Sequence, residues 1–211
     1  EHLYVAVVSD ILDSLGYRHQ AMHPRLRPLL PDIRNCGLVG RARTIRWMET
    51  DYVFEEDPYG GEIDVIDSVV PGDVLVHSTD YSGTIAPWGE LMSTIALRNG
   101  SAGCICDAMV RDCVRIIDMG YPVYYAGIGP LDSAGRGRVM AYDVPIRCGE
   151  VLVQPHDLVF ADYDGIVVIP QGVEAEVLRL GQDKVGKENL TRRDLLAGKS
   201  LREVYNTYHV L

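Results

Sequence analysis

The chain has 211 residues, of which 47% are apolar and 24% are charged. This composition is typical of a globular protein and excludes a disordered or fibrous one, so we expect a single domain over residues 1–211. Thirty acidic and 20 basic residues give a net charge of −10, which disfavours nucleic-acid binding. The sequence contains no apolar run long enough to cross a membrane and no secretory signal, so we expect a cytoplasmic protein without membrane contacts.

The five cysteines, at positions 36, 104, 106, 113 and 148, form no Cys-x-x-Cys pair and have no histidines at zinc spacing. We therefore expect reduced thiols, with Cys104 and Cys106 on one face of a strand because side chains alternate along it. The chain starts at Glu1 without a methionine. We expect that some native N-terminal sequence precedes it.

The first half of the sequence predicts alternating helices and strands. Glycine follows most of the helical patterns, as expected for C-terminal caps. A strand, a helix and another strand in succession favour a parallel crossover. The predicted elements are a helix over residues 4–15, a strand over 38–47, a helix over 62–70, a strand within 71–79, a helix over 90–99, a strand over 102–107, a helix over 111–119 and a strand over 122–127.

The second half has a different pattern. Strand-like runs over residues 137–146, 150–162 and 165–170 are separated by turns, which predicts a second, largely antiparallel sheet. Residues 172–211 form a helical and charged C-terminal arm in which residues 191–200 interrupt the pattern. Together the two halves indicate an α/β fold with mixed sheets.

The stretch WGELMSTIALRNG is the first candidate for a ligand site. Gly89 opens a helix after a glycine- and serine-rich loop, so the backbone N–H groups of residues 89–92 lack intrahelical acceptors. Such a helix end suits a carboxylate or a phosphate. The alternative is an ordinary helix start in which Glu90 interacts with the helix dipole.

The stretch AGCICDAMVRD is the second candidate. Arg111 and Asp112 follow a predicted buried strand, and ligands of open α/β sheets bind at the carboxyl ends of such strands. Arginine can hold a carboxylate or an enolate oxygen through two hydrogen bonds, and aspartate offers a hard oxygen to a divalent cation. The alternative is a helix start that Asp112 caps, with Arg111 in solvent.

Other acids have more than one interpretation. Asp107, at the end of the predicted strand, either positions Arg111 or accepts hydrogen bonds from loop N–H groups. In ADYDGIVVIP, Asp162, Asp164 and Gly165 favour a tight turn between strands.

Taken together, the motifs SDILDSLGY, VGRARTI, PGDVLV, WGELMSTIALRNGSAGCICDAMVRD and ADYDGIVVIP resemble the family of the regulator of ribonuclease activity A (RraA-like), which includes the class II 4-hydroxy-4-methyl-2-oxoglutarate aldolases. The resemblance covers nearly the whole chain. It implies a β/β/α swivelling-domain-like sandwich that assembles as a homotrimer or a homohexamer. The chain differs from the usual pattern where Glu90 replaces an aspartate and where Ala108 and His156 replace glycines.

The resemblance also implies a site and an activity. Gly89, Glu90, Leu91 and Met92 would receive the carboxylate of a 2-oxo acid, and Arg111 would contact the same substrate. Asp112 would hold Mg²⁺ or Mn²⁺. Arg111 and Glu90 would be the catalytic residues of a metal-dependent lyase that forms a pyruvate enolate, by retro-aldol cleavage of a 4-hydroxy-2-oxo acid or by decarboxylation of oxaloacetate. The sequence does not decide whether Glu188 or Glu203 reaches a neighbouring subunit's site.

Two other functions are compatible with the resemblance. The first is a non-catalytic regulator that binds a ribonuclease or another protein through its acidic surface. The second is methyl transfer to a quinone, which the lack of a glycine-rich cofactor loop disfavours.

Overall fold

The computed structural model describes residues 3–32 and 34–210 and shows a mixed α/β fold. The helices within these residues are α1 (Val5–Ser14), α2 (Gly60–Asp67), α3 (Glu90–Arg98), α4 (Cys113–Met119), α5 (Glu174–Leu196) and α6 (Leu201–Tyr208). The strands are β1 (Arg27–Pro28), β2 (Leu38–Glu49), β3 (Asp73–Ser78), β4 (Gly103–Val110), β5 (Val123–Ile128), β6 (Gly137–Tyr142), β7 (Ile146–Cys148), β8 (Val151–Val153), β9 (Leu158–Asp162) and β10 (Gly165–Ile169).

A mixed sheet forms the centre of the fold. Its strand order is β1-β5-β4-β3-β2-β9-β10, and β6 also pairs with β2. Strands β2 to β5 run parallel to one another, whereas the other pairs are antiparallel. Because β3 and β4 are parallel neighbours, their carboxyl ends meet at one edge of the sheet, and the chain continues from there towards α3 and α4.

Three of the second-half strands, β6, β9 and β10, join this same sheet. The expectation that the second half forms a second, largely antiparallel sheet is therefore wrong for these strands and holds only for β7 and β8, which pair antiparallel. β2 has 12 residues, and it pairs with β9 through residues 38–41 and with β6 through residues 45–49. Within the described residues, β7 and β8 alone form a separate sheet. Side-chain alternation reports which face of a strand is buried but not which strand it pairs with. The predicted fold class, α/β with mixed sheets, is confirmed.

Two apolar clusters pack on opposite faces of the sheet. Cys104 and Cys106 of β4 face the cluster that includes side chains from α2, α3 and α4, whereas Ile105 faces the cluster formed with β7, β8 and β10. Both cysteines therefore lie on one face, as predicted. Burial raises the pKa of both thiols, which keeps them protonated and unreactive.

The predicted C-terminal arm forms a 3₁₀ turn followed by α5 and α6. α5 continues through most of the predicted interruption and breaks only at residues 197–200, where Gly198 adopts φ +94°. Val177 packs with Val8 in a third apolar cluster, so the start of α5 belongs to the body of the fold. No helix within the described residues is both long enough and apolar enough to cross a membrane.

Both tail acids are engaged in hydrogen bonds within the chain. Glu188 accepts one from the hydroxyl of Tyr4. Glu203 accepts one from the Ser200 N–H at 2.8 Å, as part of a capping box at the start of α6. A contact between either acid and a neighbouring subunit stays a prediction.

Candidate active site

The loop after β4 lies against the start of α3. The N–H of Arg111 donates a hydrogen bond to the carbonyl of Trp88 at 3.0 Å, which brings the Arg-Asp pair next to Gly89. A Cβ atom on Gly89 would lie 2.8 Å from Asp112 Oδ2 and 3.2 Å from Arg111 Cγ. Gly89 itself is extended (φ −151°, ψ −169°), so close approach rather than backbone conformation explains the glycine.

Asp112 does not cap its own helix. It is the N-cap residue of α4, yet its side chain makes no capping hydrogen bond there. Instead, Asp112 Oδ2 accepts a hydrogen bond at 3.2 Å from the N–H of Glu90, the first residue of α3. The interpretation of Asp112 as the cap of its own helix is therefore wrong, and the carboxylate links the two candidate stretches.

The backbone of Asp112 is strained. Its φ of +57° and ψ of 29° lie in the left-handed region, which costs a residue with a side chain about 1–2 kcal/mol. Aspartate tolerates this region better than most residues. The left-handed backbone of Asp112 directs its side chain away from α4 and towards α3, so the strain serves to position the carboxylate.

Arg111 is held in place by a second acid. Its Nη2 atom lies 3.3 Å from Asp132 Oδ1 in the loop between β5 and β6. Asp132 Oδ2 in turn accepts a hydrogen bond from the Tyr59 hydroxyl at 2.8 Å. The guanidinium is therefore an oriented group rather than the solvated one of the alternative interpretation.

Asp107 serves the loop instead of Arg111. The strand β4 continues three residues beyond it, so Asp107 is not at the strand's end as predicted. Its Oδ1 atom accepts hydrogen bonds from the N–H and the hydroxyl of Thr79, at 2.6 and 2.7 Å. This matches the second of the two interpretations, in which the acid satisfies loop N–H groups.

The start of α3, the Arg-Asp pair and Asp132 surround a cavity of about 230 Å³. Glu90 is absent from its lining, and its carboxylate accepts a hydrogen bond from Thr94 on the following turn. A catalytic role for Glu90 stays a prediction. The lining consists of Tyr59, Glu62, Ile63, Ala86, Pro87, Gly89, Leu91, Met92, Arg111, Asp112, Asp132 and Ser133, so the cavity brings together the other predicted site residues.

Glu62 is a site residue that the sequence reasoning missed. It is only 5% exposed, and it accepts a hydrogen bond from the Ser133 hydroxyl at 2.9 Å. The pKa of Glu62 is raised to about 7, mainly by burial and also by Asp132, against the opposing effects of Ser133 and Arg111. Glu62 lies three and four residues before Val65 and Ile66, so it shares the buried face of α2 with them. An acid at this helical spacing was the signal in the sequence that could have identified it.

Comparison with known proteins identifies the family. The RraA-like family model, described as Aldolase/RraA, matches residues 5–168. The chain belongs to the RraA-like family. A protein of Halalkalibacterium halodurans named "Putative 4-hydroxy-4-methyl-2-oxoglutarate aldolase" is 29% identical over 188 residues, which are 88% of this chain and 81% of that protein.

Solved structures agree with this RraA-like assignment. Streptomyces coelicolor RraAS2, described as an unusual member of the RNase ES inhibitor RraA protein family, has a TM-score of 0.78 and 31% identity, with 89% of this chain and 90% of that chain covered. An uncharacterized protein from Pseudomonas syringae pv. tomato has a TM-score of 0.87 and 29% identity, with 98% and 91% covered.

Asp162 and His156 have structural roles in this RraA-like chain. Asp162 accepts hydrogen bonds from the N–H groups of Val5 and Asp164, at 2.8 and 2.9 Å, so it fixes the turn between β9 and β10 and the start of α1. His156, at a position where the resemblance implied glycine, adopts φ +68°. Glycine is favoured there because that backbone region strains other residues.

The donor set near the cavity suits a hard cation. No three His, Cys, Asp or Glu side chains come together as a metal-binding group among residues 3–32 and 34–210. Asp112 nevertheless offers Oδ1, which no protein donor contacts in the described part of the chain. One carboxylate fits Mg²⁺ or Mn²⁺, because such ions retain several water ligands and take further oxygens from a substrate.

Proposed function

We propose that the protein is a divalent-metal-dependent lyase that cleaves a carbon–carbon bond of a 2-oxo acid. The bond is broken by retro-aldol cleavage of a 4-hydroxy-2-oxo acid, by decarboxylation of oxaloacetate, or by both, and either route leaves a pyruvate enolate. The observation that carries this proposal is the meeting of Arg111, Asp112 and the start of α3 at one small cavity. The names of the aldolase relatives support it.

The start of α3 provides the binding site for the substrate's carboxylate. The N–H groups of Leu91 and Met92 have no protein acceptor among the described residues, and α3 directs the positive end of its dipole at the cavity. Anions bind well at such a position. Both residues line the cavity, so a pyruvyl carboxylate placed there brings the adjacent keto oxygen near Arg111.

Arg111 stabilises the enolate. Negative charge grows on the keto oxygen as the carbon–carbon bond breaks, and a guanidinium that is already oriented by Asp132 requires little reorganisation at that moment. Removing such a group typically lowers turnover about 10²-fold or more. Asp112 would hold Mg²⁺ or Mn²⁺, which would supply further charge neutralisation at the enolate.

Exposed apolar side chains support the proposed assembly into homotrimers or homohexamers. Leu91, Val114 and Ile128 are 75%, 72% and 60% exposed, and they line the cavity or the depression next to Arg111 and Asp112. A neighbouring copy that covered them would also close the rim of the site. Light scattering on Val114→Glu, compared with the wild type, tests this assembly.

The activity is tested by pyruvate release. Arg111→Ala and Asp112→Ala are assayed with Mg²⁺ on 4-hydroxy-2-oxo acids and oxaloacetate, with and without chelator. Arg115→Ala and Asp118→Ala are matched controls, because both residues are exposed on α4 and line neither cavity described above. Equal rates in the site variants and the controls would refute the proposal.

A protein-binding regulator is the second candidate. The description of the Streptomyces relative as a member of an RNase ES inhibitor family favours it, and a net charge of −10 suits a basic partner. The absence of pyruvate release from every 2-oxo acid, together with specific retention of a purified ribonuclease, would favour this function over the lyase.

A further inference from the structure

We propose that Glu62 is the catalytic residue that transfers the proton in this site. The inference rests on the proposed lyase function and assigns the step that Arg111 and Asp112 leave open. Glu62 lies on α2 and lines the same cavity as Arg111, although the two residues are 49 positions apart in the sequence.

Glu62 has a carboxylate oxygen available for a substrate. Its Oε2 atom accepts the hydrogen bond from the Ser133 hydroxyl. No protein donor contacts Oε1 within residues 3–32 and 34–210. A buried acid that lines a cavity and keeps one oxygen uncommitted is suited to exchange a proton with a bound molecule.

The other carboxylates near the cavity are less suitable. Asp132 accepts hydrogen bonds on both oxygens, from the Ser133 N–H and the Tyr59 hydroxyl, and also pairs with Arg111. The side chain of Asp112 is 45% exposed. Glu90 does not line the cavity. Among the described residues, Glu62 is thus the acid enclosed within it.

The surroundings of Glu62 bring the pKa of its carboxyl group close to neutral pH. Its pKa is raised to about 7, mainly by burial and also by the nearby Asp132 carboxylate. The Ser133 hydrogen bond and the Arg111 guanidinium act in the opposite direction. Tyr59 also faces this cluster, and its hydrogen bond to Asp132 raises the pKa of its phenol, so it stays neutral. Asp112 lines the same cavity. A group with such a pKa can both accept and return a proton at pH 7.

Glu62 carries one proton from the substrate's hydroxyl group to the methyl group of the product. The Glu62 carboxylate accepts the proton of the C4 hydroxyl of a 4-hydroxy-2-oxo acid. The O–H electrons form the new carbonyl, the C3–C4 bond breaks, and its electrons become the pyruvate enolate. Protonated Glu62 then donates the same proton to C3, which gives the methyl group of pyruvate and restores the carboxylate.

The test uses two assays on purified full-length protein: pyruvate release from the 4-hydroxy-2-oxo acid, and exchange of pyruvate methyl protons in D₂O followed by ¹H NMR. Glu62→Gln is expected to lower both rates about 10²-fold or more, while the dissociation constant of pyruvate changes little. Asp64→Asn, on the exposed face of α2, is the matched control and is expected to behave as the wild type.

The pH profile provides a readout that a structural role would not affect. Retro-aldol turnover of the wild type should rise with pH through about 7, because the carboxylate form of Glu62 is the active one. Ser133→Ala should move this rise to higher pH, since the lost hydrogen bond stabilises the carboxylate. If Glu62→Gln does not fold, this shift decides the question, and an unmoved profile would overturn the inference.

Two outcomes separate the inference from the function on which it rests. A wild-type protein that releases pyruvate, with folded Glu62→Gln equally active in both assays, would overturn the role of Glu62 alone. A wild-type protein that neither releases pyruvate nor exchanges its methyl protons would overturn the lyase function, and the role of Glu62 with it.

Discussion

Gly89→Ala isolates the contact between α3 and the Arg-Asp pair. The added methyl group would lie 2.8 Å from Asp112 Oδ2 and 3.3 Å from Arg111 Nε. Ordinary contacts between non-bonded heavy atoms lie at about 3.5 Å or more. The Asp112 carboxylate must therefore move by about half an ångström or more. This movement breaks the hydrogen bond, 3.2 Å long, that Asp112 Oδ2 accepts from the Glu90 N–H.

The expected effect is large on activity and small on stability. Gly89 has an extended backbone that alanine also adopts, so the substitution stabilises by about 0.4–1 kcal/mol through the unfolded chain. Losing the Glu90–Asp112 hydrogen bond costs about 0.5–1.5 kcal/mol, so the net change stays within about 1 kcal/mol. Displacing Asp112 and Arg111 by a fraction of an ångström to an ångström can lower turnover about 10- to 100-fold.

Pyruvate release and chemical denaturation measure the two quantities on the same preparation. Gly172→Ala is the matched control, because no atom lies within 4 Å of a Cβ at that position and its φ is not in the left-handed region. Wild-type turnover in Gly89→Ala would refute the argument that the position of the Asp112 carboxylate matters. A loss of several kcal/mol would show that the glycine serves folding instead.

Three further variants test the site and its support. Asp112→Asn should change the free energy of unfolding by less than about 0.5 kcal/mol, because asparagine also tolerates the left-handed backbone. It should lower Mg²⁺-dependent pyruvate release about 10²-fold. An unchanged rate would contradict the proposed cation site. The wild type should lose stability relative to Glu62→Gln as pH rises from about 4.5 through about 7, since the folded-state pKa of Glu62 is raised. The difference in the free energy of unfolding between the two proteins approaches about 3 kcal/mol above pH 8. Urea unfolding measures it at pH 5 and pH 8, and the same difference at both pH values would contradict the prediction. Asp107→Ala should destabilise by about 2–3 kcal/mol, because it leaves the buried N–H and hydroxyl of Thr79 without their acceptor; an unchanged denaturation midpoint would exclude this role.

Local sequence determined where three of the helices end. α1, α3 and α4 end close to Gly16, Gly100 and Gly120, and all three glycines adopt the left-handed backbone of a helix terminus. Local sequence also indicated Gly89 as a helix start and Arg111 as a residue close to a strand's end. The exact end of β4 was not predicted, because the strand continues three residues beyond Asp107.

Tertiary structure decided the strand partners and the other half of the site. The alternation of side chains along β2 can be read from the sequence. That β3, β6 and β9 all pair with β2 cannot, because pairing depends on segments up to about 120 residues away. Likewise, Asp132 meets Tyr59 across 73 positions, and Ser133 meets Glu62 across 71. No local pattern specifies such contacts, since packing of the whole chain sets both the burial of Glu62 and its distance from Arg111. The sequence by itself therefore predicted candidate residues for an anion and a cation, whereas only the fold placed a buried acid beside them.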